Sequence, residues 1–397
     1  MNLRHRLNPH GYRVVLVLQG GGALGAYQAG VYQAMDEHGL APEWIVGTSI
    51  GAINGALIAG NEPGRRLAQL KAFWDRIAHA DAVDMRWLSD AQRRSAICWS
   101  SADTVLWGAR DFFRPRPFNP FALNLPVAPE QASFYDSAPL SATLHELVDF
   151  EYLNAPGGMR LTVTAVNVQS GELAHFDSLN GQLAADHIRA SGSLPPGFAP
   201  VRIDGQLYWD GGLYSNTPLE SVLGEASERD TLCFLVDLWS ATGEEPGTLE
   251  EVRTRMKDVM FASRSKRHID DYAAANALRH KLRELYARLP EAQRTPEDAA
   301  ELAALGCDAT MHVVRIPYSG HDWHMASKDI NFSRGSIEWR WDQGYRDGLR
   351  ALRHAGWLTM VPEETAVVVH DLPPEATEAK EAAQVTERPG EADRRLA

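Results

Sequence analysis

The sequence predicts an α/β protein built on a mainly parallel sheet. Three observations carry that prediction: a wholly apolar run, Val14 to Leu18, that stops at Gly20-Gly21-Gly22; a helical repeat of apolar residues directly after it; and a second apolar run, Trp44 to Val46, that turns at once into another helical pattern. A strand, helix, strand, turn, helix order makes neighbouring strands parallel, because the crossover helix carries the chain back to the same end of the sheet.

Each element has its own physical reason. Five apolar residues without alternation fit a strand buried on both faces. Leu24, Tyr27, Val31, Ala34 and Met35 then recur at helical spacing, and Gly39 with Pro42 supplies the stop. Gly47-Thr48-Ser49-Ile50-Gly51 turns the chain after the second strand, and Ala52 to Ala59 reads as a helix of small residues. From residue 61 to 156 the pattern changes. Trp74, Trp87, Trp99, Trp107, Phe112, Phe113, Phe118 and Phe121 are scattered among polar residues, with a Pro-rich run at Arg114 to Pro120. This predicts a partly helical, aromatic-rich insertion whose rings serve internal packing, an acyl channel or a membrane contact. Strand patterns resume at Leu161 to Val166, Gln206 to Trp209 and Cys233 to Leu238, completing a catalytic-sized domain over residues 1–240. After Thr242 to Gly247, residues 241–361 read as mostly helical. Leu278, Leu282, Leu285 and Leu289 mark one helix face there, followed by a strand at His312 to Ile316 and an aromatic helix around Ile337 to Leu352. Residues 362–397, rich in Glu, Ala and Pro, predict a disordered acidic tail in which Val367 to Val369 could dock as a strand.

Composition bounds the function. A chain of 397 residues with 44% hydrophobic and 23% charged residues is an ordinary globular protein, large enough to need no disulfide or metal to fold. The net charge of −13 argues against a general nucleic-acid binder, which needs basic surface to displace counterions, and anionic lipid should be repelled as well. Cys98, Cys233 and Cys307 stand far apart, so neither a disulfide framework nor a thiolate zinc site is expected, and a reducing compartment fits. Met1 to Arg13 is polar, with Arg4, His5, Arg6 and Arg13, and lacks a signal-peptide core; no run reaches the ~18 apolar residues of a membrane span. A cytoplasmic protein is expected.

Candidate chemistry sits at three glycine-rich places. Ser49 occupies the centre of G-x-S-x-G where a strand turns into a helix, the arrangement that exposes a nucleophile, although a serine there could equally be a helix cap. Gly20-Gly21-Gly22-Ala23-Leu24-Gly25 lies between strand and helix, where unsatisfied backbone N–H groups can hold an anion, either a phosphate or the oxyanion of an ester intermediate. A dinucleotide site would want an acid about twenty residues on, where only Glu43 qualifies, and no Lys-Ser/Thr follows as in a phosphate-binding Walker loop. The oxyanion role is preferred. Asp210-Gly211-Gly212 follows a strand pattern and can present a carboxylate without steric competition, or it can be a plain hairpin turn.

Taken together and in this order, with Ala190-Ser191-Gly192-Ser193-Leu194-Pro195-Pro196-Gly197-Phe198-Ala199-Pro200 just before the last, these motifs resemble the patatin-like phospholipase family over roughly Val14 to Leu238. The resemblance implies a three-layer α/β/α fold and a catalytic dyad in which Ser49 attacks an acyl carbonyl and Asp210 takes its proton. It further implies that the backbone N–H groups of Gly21, Gly22 and Ala23 form the oxyanion hole. Leu24 departs from the Arg or Lys that the family often carries, so that position adds no positive charge. The chain after Ala241, including Asn331-Phe332-Ser333-Arg334, is similar to a C-terminal extension of some bacterial members. An acyl ester or phospholipid substrate is implied, with transient contact at a membrane surface, no nucleic acid, no cofactor and no metal; the oligomeric state is not given.

Rival readings are a catalytically idle binding or scaffold protein, a hydrolase of a polyester or thioester, and a nucleotide binder. A Ser-His-Asp triad would need one of His268, His280, His312, His321 or His324 as base, but only two strand patterns precede Ser49, fewer than an α/β-hydrolase places before its nucleophile. His321-Asp322-Trp323-His324 lacks a third zinc ligand. Arg264, Lys266 and Arg267 form a basic cluster, read as a solvated helix face or as a headgroup or partner contact.

Overall fold

The apolar run after Tyr12 forms β1 (Arg13–Leu18), the centre of a nine-stranded sheet. The computed structural model describes residues 7–80, 90–117, 125–225, 227, 229–262, 265–304, 309–318, 325–359, 361 and 365–372. Trp87, Phe118, Phe121, Arg264, Cys307, His321 to His324 and residues 373–397 of the expected tail lie outside these.

From β1 the chain passes through a 3-10 turn (Gly22–Leu24) into α1 (Gly25–Glu37), then β2 (Trp44–Thr48), α2 (Ile50–Ala59) and α3 (Arg66–Ile77). The insertion holds α4 (Asp90–Trp107), a two-stranded ribbon of β3 (Arg114–Pro115) and β4 (Tyr135–Asp136), α5 (Ala138–Leu147) and the short α6 (Phe150–Leu153). There follow β5 (Arg160–Asn167), β6 (Leu173–Asp177), α7 (Ala185–Ser191), β7 (Val201–Ile203), β8 (Gln206–Asp210), α8 (Leu219–Leu223) and β9 (Thr231–Asp237). The last stretch comprises α9 (Leu249–Phe261), α10 (Ser265–Ala287), α11 (Pro296–Ala304), β10 (Met311–Pro317), α12 (Arg334–Arg353) and β11 (Val367–Asp371).

The strand order is β11-β10-β9-β1-β2-β5-β8-β7, with β6 also paired to β5. Every pair from β11 across to β5 is parallel, whereas β6, β7 and β8 are joined antiparallel. The fold is therefore α/β with a mainly parallel sheet. Successive side chains of β1 serve opposite layers: Val14, Leu16 and Leu18 join one core cluster with α1 to α3, and Val15 and Val17 join another with α8 and the start of α10.

The sheet runs across the boundary expected at residue 240. β10 pairs with β9 from Met311↔Thr231 to Pro317↔Asp237, and β11 extends β10, so Val367 to Val369 and two more residues are a docked strand inside the region read as tail. α12 also packs along α1 at close range. A Cβ on Gly30 would lie 2.0 Å from the Trp341 carbonyl oxygen, and one on Gly344 would lie 2.0 Å from that of Tyr27, so the two helices meet backbone to backbone through glycine. The aromatic insertion divides: Trp74 and Phe113 are buried in the main core, whereas Trp99 and Trp107 are exposed. Leu278, Leu282, Leu285 and Leu289, whose spacing marks a helix face, are exposed too.

Candidate active site

Ser49 stands between β2 and α2 with φ 58° and ψ −123°, a left-handed backbone that a side chain adopts only under constraint. Its neighbours supply the constraint. A Cβ on Gly47 would meet the Gly51 carbonyl oxygen at 2.4 Å, and a Cβ on Gly51 would meet that of Leu18 at 2.2 Å, so both glycines are required by close backbone approach. The Ser49 carbonyl accepts the first helical bonds of α2 from Ala52 (3.0 Å) and Ile53 (3.2 Å). Its N–H donates to Ser191 Oγ at 2.9 Å, and its side chain is partly exposed.

Asp210 ends β8, paired with Ala165 of β5, and is 2% exposed. Its carboxylate accepts the Gly212 N–H at 2.7 Å, with the Ser49 side chain in hydrogen-bonding reach. Burial pushes the Asp210 carboxyl up to about 7, and these two hydrogen bonds hold it down only in part. A carboxylate with that proton affinity can accept a hydroxyl proton near neutral pH, which an ordinary aspartate does poorly. After Asp210 the chain enters a 3-10 turn, Gly211–Leu213, rather than a hairpin.

Gly21 and Gly22 line the same cavity as Ser49 and Asp210, whereas Ala23 is fully buried and is not among the lining residues. Gly22 has φ +55°, and a Cβ there would meet the Asp329 carbonyl oxygen at 2.3 Å. The entrance to this loop is fixed by polar side chains. The Gly20 carbonyl accepts from Trp239 Nε1 (2.8 Å) and Asn216 Nδ2 (3.1 Å), and the Gly20 N–H donates to the Asn216 carbonyl (3.1 Å). Gln19 donates to Thr217 Oγ1 (2.7 Å) and accepts the N–H groups of Leu238 and Trp239.

The cavity, about 290 Å³, is walled mainly by apolar groups. Phe112, Phe113 and Tyr135 from the insertion form one side, and Ile330 and Phe332 from the C-terminal region form another. Among the described residues no Lys, Arg or His lines it. Of the candidate histidines, His268 lies 3.3 Å from Glu220, His312 is stacked against His370, and His321 and His324 fall outside the described residues. No group of three or more His, Cys, Asp or Glu able to hold a metal occurs among the described residues.

Residue-type reasoning left several of these contacts unread. The Ala190 to Pro200 segment bridges both polar residues: Ser191 takes the Ser49 N–H, and the Ser193 carbonyl takes the Asp210 N–H at 3.0 Å. The segment was legible as part of a pattern, but nothing in its composition assigned those bonds. Nor did any signal join Asp329, Ile330 and Phe332 to a serine some 280 residues earlier.

A model of the patatin-like phospholipases matches residues 16–223, and a second, described as patatin phospholipase, matches residues 259–364. Patatin-like phospholipase domain-containing protein 6 of Mus musculus is 26% identical over 210 residues, which cover 53% of this chain and 12% of that protein. The chain thus spans about an eighth of that relative's length. An uncharacterised NTE family protein of Mycobacterium tuberculosis is 27% identical over 268 residues, covering 67% of this chain and 60% of that one. Among solved structures, VipD from Legionella pneumophila aligns over 94% of this chain and 74% of its own, with 14% identity and a TM-score of 0.39.

Proposed function

The chain belongs to the patatin-like phospholipase family, and from that premise we propose that it is a serine acyl hydrolase of lipid esters, with Ser49 as nucleophile and Asp210 as its base. The observation that carries this reading is the buried Asp210 carboxyl, raised to about 7, beside a strained serine at the head of an apolar cavity. Asp210 takes the Ser49 Oγ proton while Oγ bonds to the acyl carbon; the carbonyl electrons move onto oxygen and are held by N–H groups of Gly21, Gly22 and Ala23. Collapse breaks the ester bond, and the departing alcohol leaves with the proton from Asp210. Water, giving a proton to Asp210, then attacks the acyl-enzyme; the fatty acid departs and Ser49 recovers its proton.

The absence of cationic lining among the described residues favours an acyl chain over a nucleotide phosphate in the cavity. Ser49→Ala is expected to lower hydrolysis of a p-nitrophenyl ester by about 10⁴-fold or more with an unchanged circular dichroism spectrum. Mass spectrometry after a fluorophosphonate probe should find the adduct on Ser49. A wild-type chain that neither turns over esters of graded chain length nor takes up the probe would be the idle binding protein instead.

A further inference from the structure

Asn216 stands between the Gly-rich loop and Asp210, and the two ends of its side-chain amide face different things. Its Nδ2 donates to the Gly20 carbonyl at 3.1 Å and to the Phe261 carbonyl at 2.9 Å, while its own backbone carbonyl takes the Gly20 N–H at 3.1 Å. Two carbonyl acceptors on one side fix which end of the amide is nitrogen, so Oδ1 faces the other way. There it lies beside the glycines that border Ser49 and Asp210. A Cβ on Gly20 would stand 2.3 Å from Asn216 Oδ1 and 3.1 Å from Ser49 Cβ. A Cβ on Gly212 would stand 2.8 Å from Asn216 Oδ1 and 3.0 Å from Asp210 Oδ1. Both glycines thereby leave Oδ1 open toward the serine and the aspartate, and all of these residues line the cavity. Among the described residues no donor reaches Asn216 Oδ1.

We propose that Asn216 Oδ1 orients the water that releases the acyl group, as a second acceptor beside Asp210. The inference rests on the acyl-hydrolase reading and concerns only the second half of that reaction. An attacking water has two O–H groups. As its oxygen bonds to the acyl carbon, one proton passes to Asp210 and the carbonyl electron pair moves onto the carbonyl oxygen. The second O–H needs an acceptor of its own, and an amide oxygen accepts it without competing for the proton that Asp210 must take. When the intermediate collapses, the bond to Ser49 Oγ breaks, Asp210 returns its proton to Oγ, and the second proton leaves with the fatty acid. An alcohol has no second O–H. The alcohol that departs during acylation, or one that attacks in place of water, presents carbon where water presents its other proton, so Oδ1 favours water alone. Held by three hydrogen bonds, Asn216 needs no rearrangement when water arrives. Its amide thus biases the site toward hydrolysis and against acyl transfer to alcohols.

The test measures which nucleophile the acyl-enzyme chooses. Full-length wild type, Asn216→Ala and Trp239→Phe are given a p-nitrophenyl ester in buffer containing methanol, and the ratio of methyl ester to free fatty acid is read by gas chromatography. Asn216→Ala should raise that ratio about tenfold at equal methanol, the effect of one hydrogen bond lost to the water. Trp239→Phe removes the other side-chain donor to the Gly20 carbonyl and loosens the same loop. It should slow formation of both products alike and leave the ratio unchanged, because both nucleophiles attack one acyl-enzyme. Asn216→Leu, similar in shape and without an acceptor, repeats the measurement should the alanine variant not fold. A folded Asn216 variant with the wild-type ratio overturns the proposal, and so does a ratio raised equally by Trp239→Phe, which would make the bracing of Gly20 the cause. A folded variant that releases no first equivalent of p-nitrophenol overturns it as well, since the amide would then serve acylation. Wild type that turns over no ester refutes the hydrolase reading itself, whereas wild-type turnover with an unmoved ratio refutes only the role of Asn216.

Discussion

Asp210 is held at the end of β8 and is almost wholly buried, so its ionisation is tied to stability and, in its proposed role as base, to turnover. Its pKa is raised to about 7 in the folded chain, while the unfolded chain has the ordinary value of 3.8. Between those values the folded state keeps a proton that the unfolded state has released, so stability falls as pH rises through the window. Asp210→Asn abolishes that penalty. The variant is expected to be more stable than wild type by on the order of 2–4 kcal/mol at pH 8 and equal to it below about pH 4, as read from urea unfolding at the two pH values. The same variant should lose turnover, because an amide cannot accept the serine proton. In the wild type, ester turnover should climb with pH through about 7, as the base ionises; a flat profile from pH 5 to 9 would remove Asp210 from the role. At this scale the sequence was informative where chemistry needs a rare residue in a rare turn. Ser49 and Asp210 were legible because glycines surround both. Ser191 was not, since its value lies in one bond to the Ser49 N–H, which any hydroxyl at that point could make.

Between residues and the whole fold, the Gly-rich loop depends on an element that sequence order conceals. The Asp329 carbonyl lies against Gly22, and the turn that carries it is fastened to α9 by two reciprocal ion pairs: Lys257 with Asp329 at 2.7 Å, and Lys328 with Asp258 at 2.5 Å. Lys328 also lies over the Trp239 ring, 4.8 Å from its centroid. Asp258→Asn would leave the largely buried Lys328 without its carboxylate and is expected to cost about 1–3 kcal/mol in urea unfolding. Lys257→Asp should lower kcat more than it changes KM, because the turn beneath the proposed oxyanion donors would loosen. Adding Asp329→Lys restores the pair in reverse and should recover most of the loss; failure to recover would mean that the clamp does not position the loop. The arrangement also qualifies a simple test of the donors. Gly22→Val forces a Cβ into the Asp329 backbone at a positive φ, so its loss of activity would mix strain with lost stabilisation. The parallel strands, α1 and α2 were readable from periodicity and stop signals. The clamp was not, since ion pairs between distant charged residues leave no periodic trace.

Over the whole molecule, the cavity joins parts of the chain that lie far apart in sequence. Ser49 and the Gly-rich loop come from its start, Phe112 and Phe113 from the insertion, and Ile330 and Phe332 from beyond residue 320. A chain ending at residue 240 would keep Ser49 and Asp210 but expose the β9 edge that β10 covers and the α1 surface against which α12 packs through Gly344. It is expected to be insoluble or molten, seen as lost near-ultraviolet circular dichroism, and to show no ester turnover. An active, cooperatively melting fragment would contradict this. Apolar patterning placed β1, β2, β5, β8, β9 and β10 along the chain but left β6 and β7 unread, and it could not say that β10 and β11 return to the same sheet, because parallel pairing is decided by burial between distant segments. That late return sets a schedule for biosynthesis. Ser49, the proposed nucleophile, emerges from the ribosome well before the wall formed by Ile330 and Phe332 and the strand β11 beyond it. A nascent chain therefore carries Ser49 without a finished cavity around it until Ile330, Phe332 and β11 have followed, and the proposed hydrolysis waits on those residues.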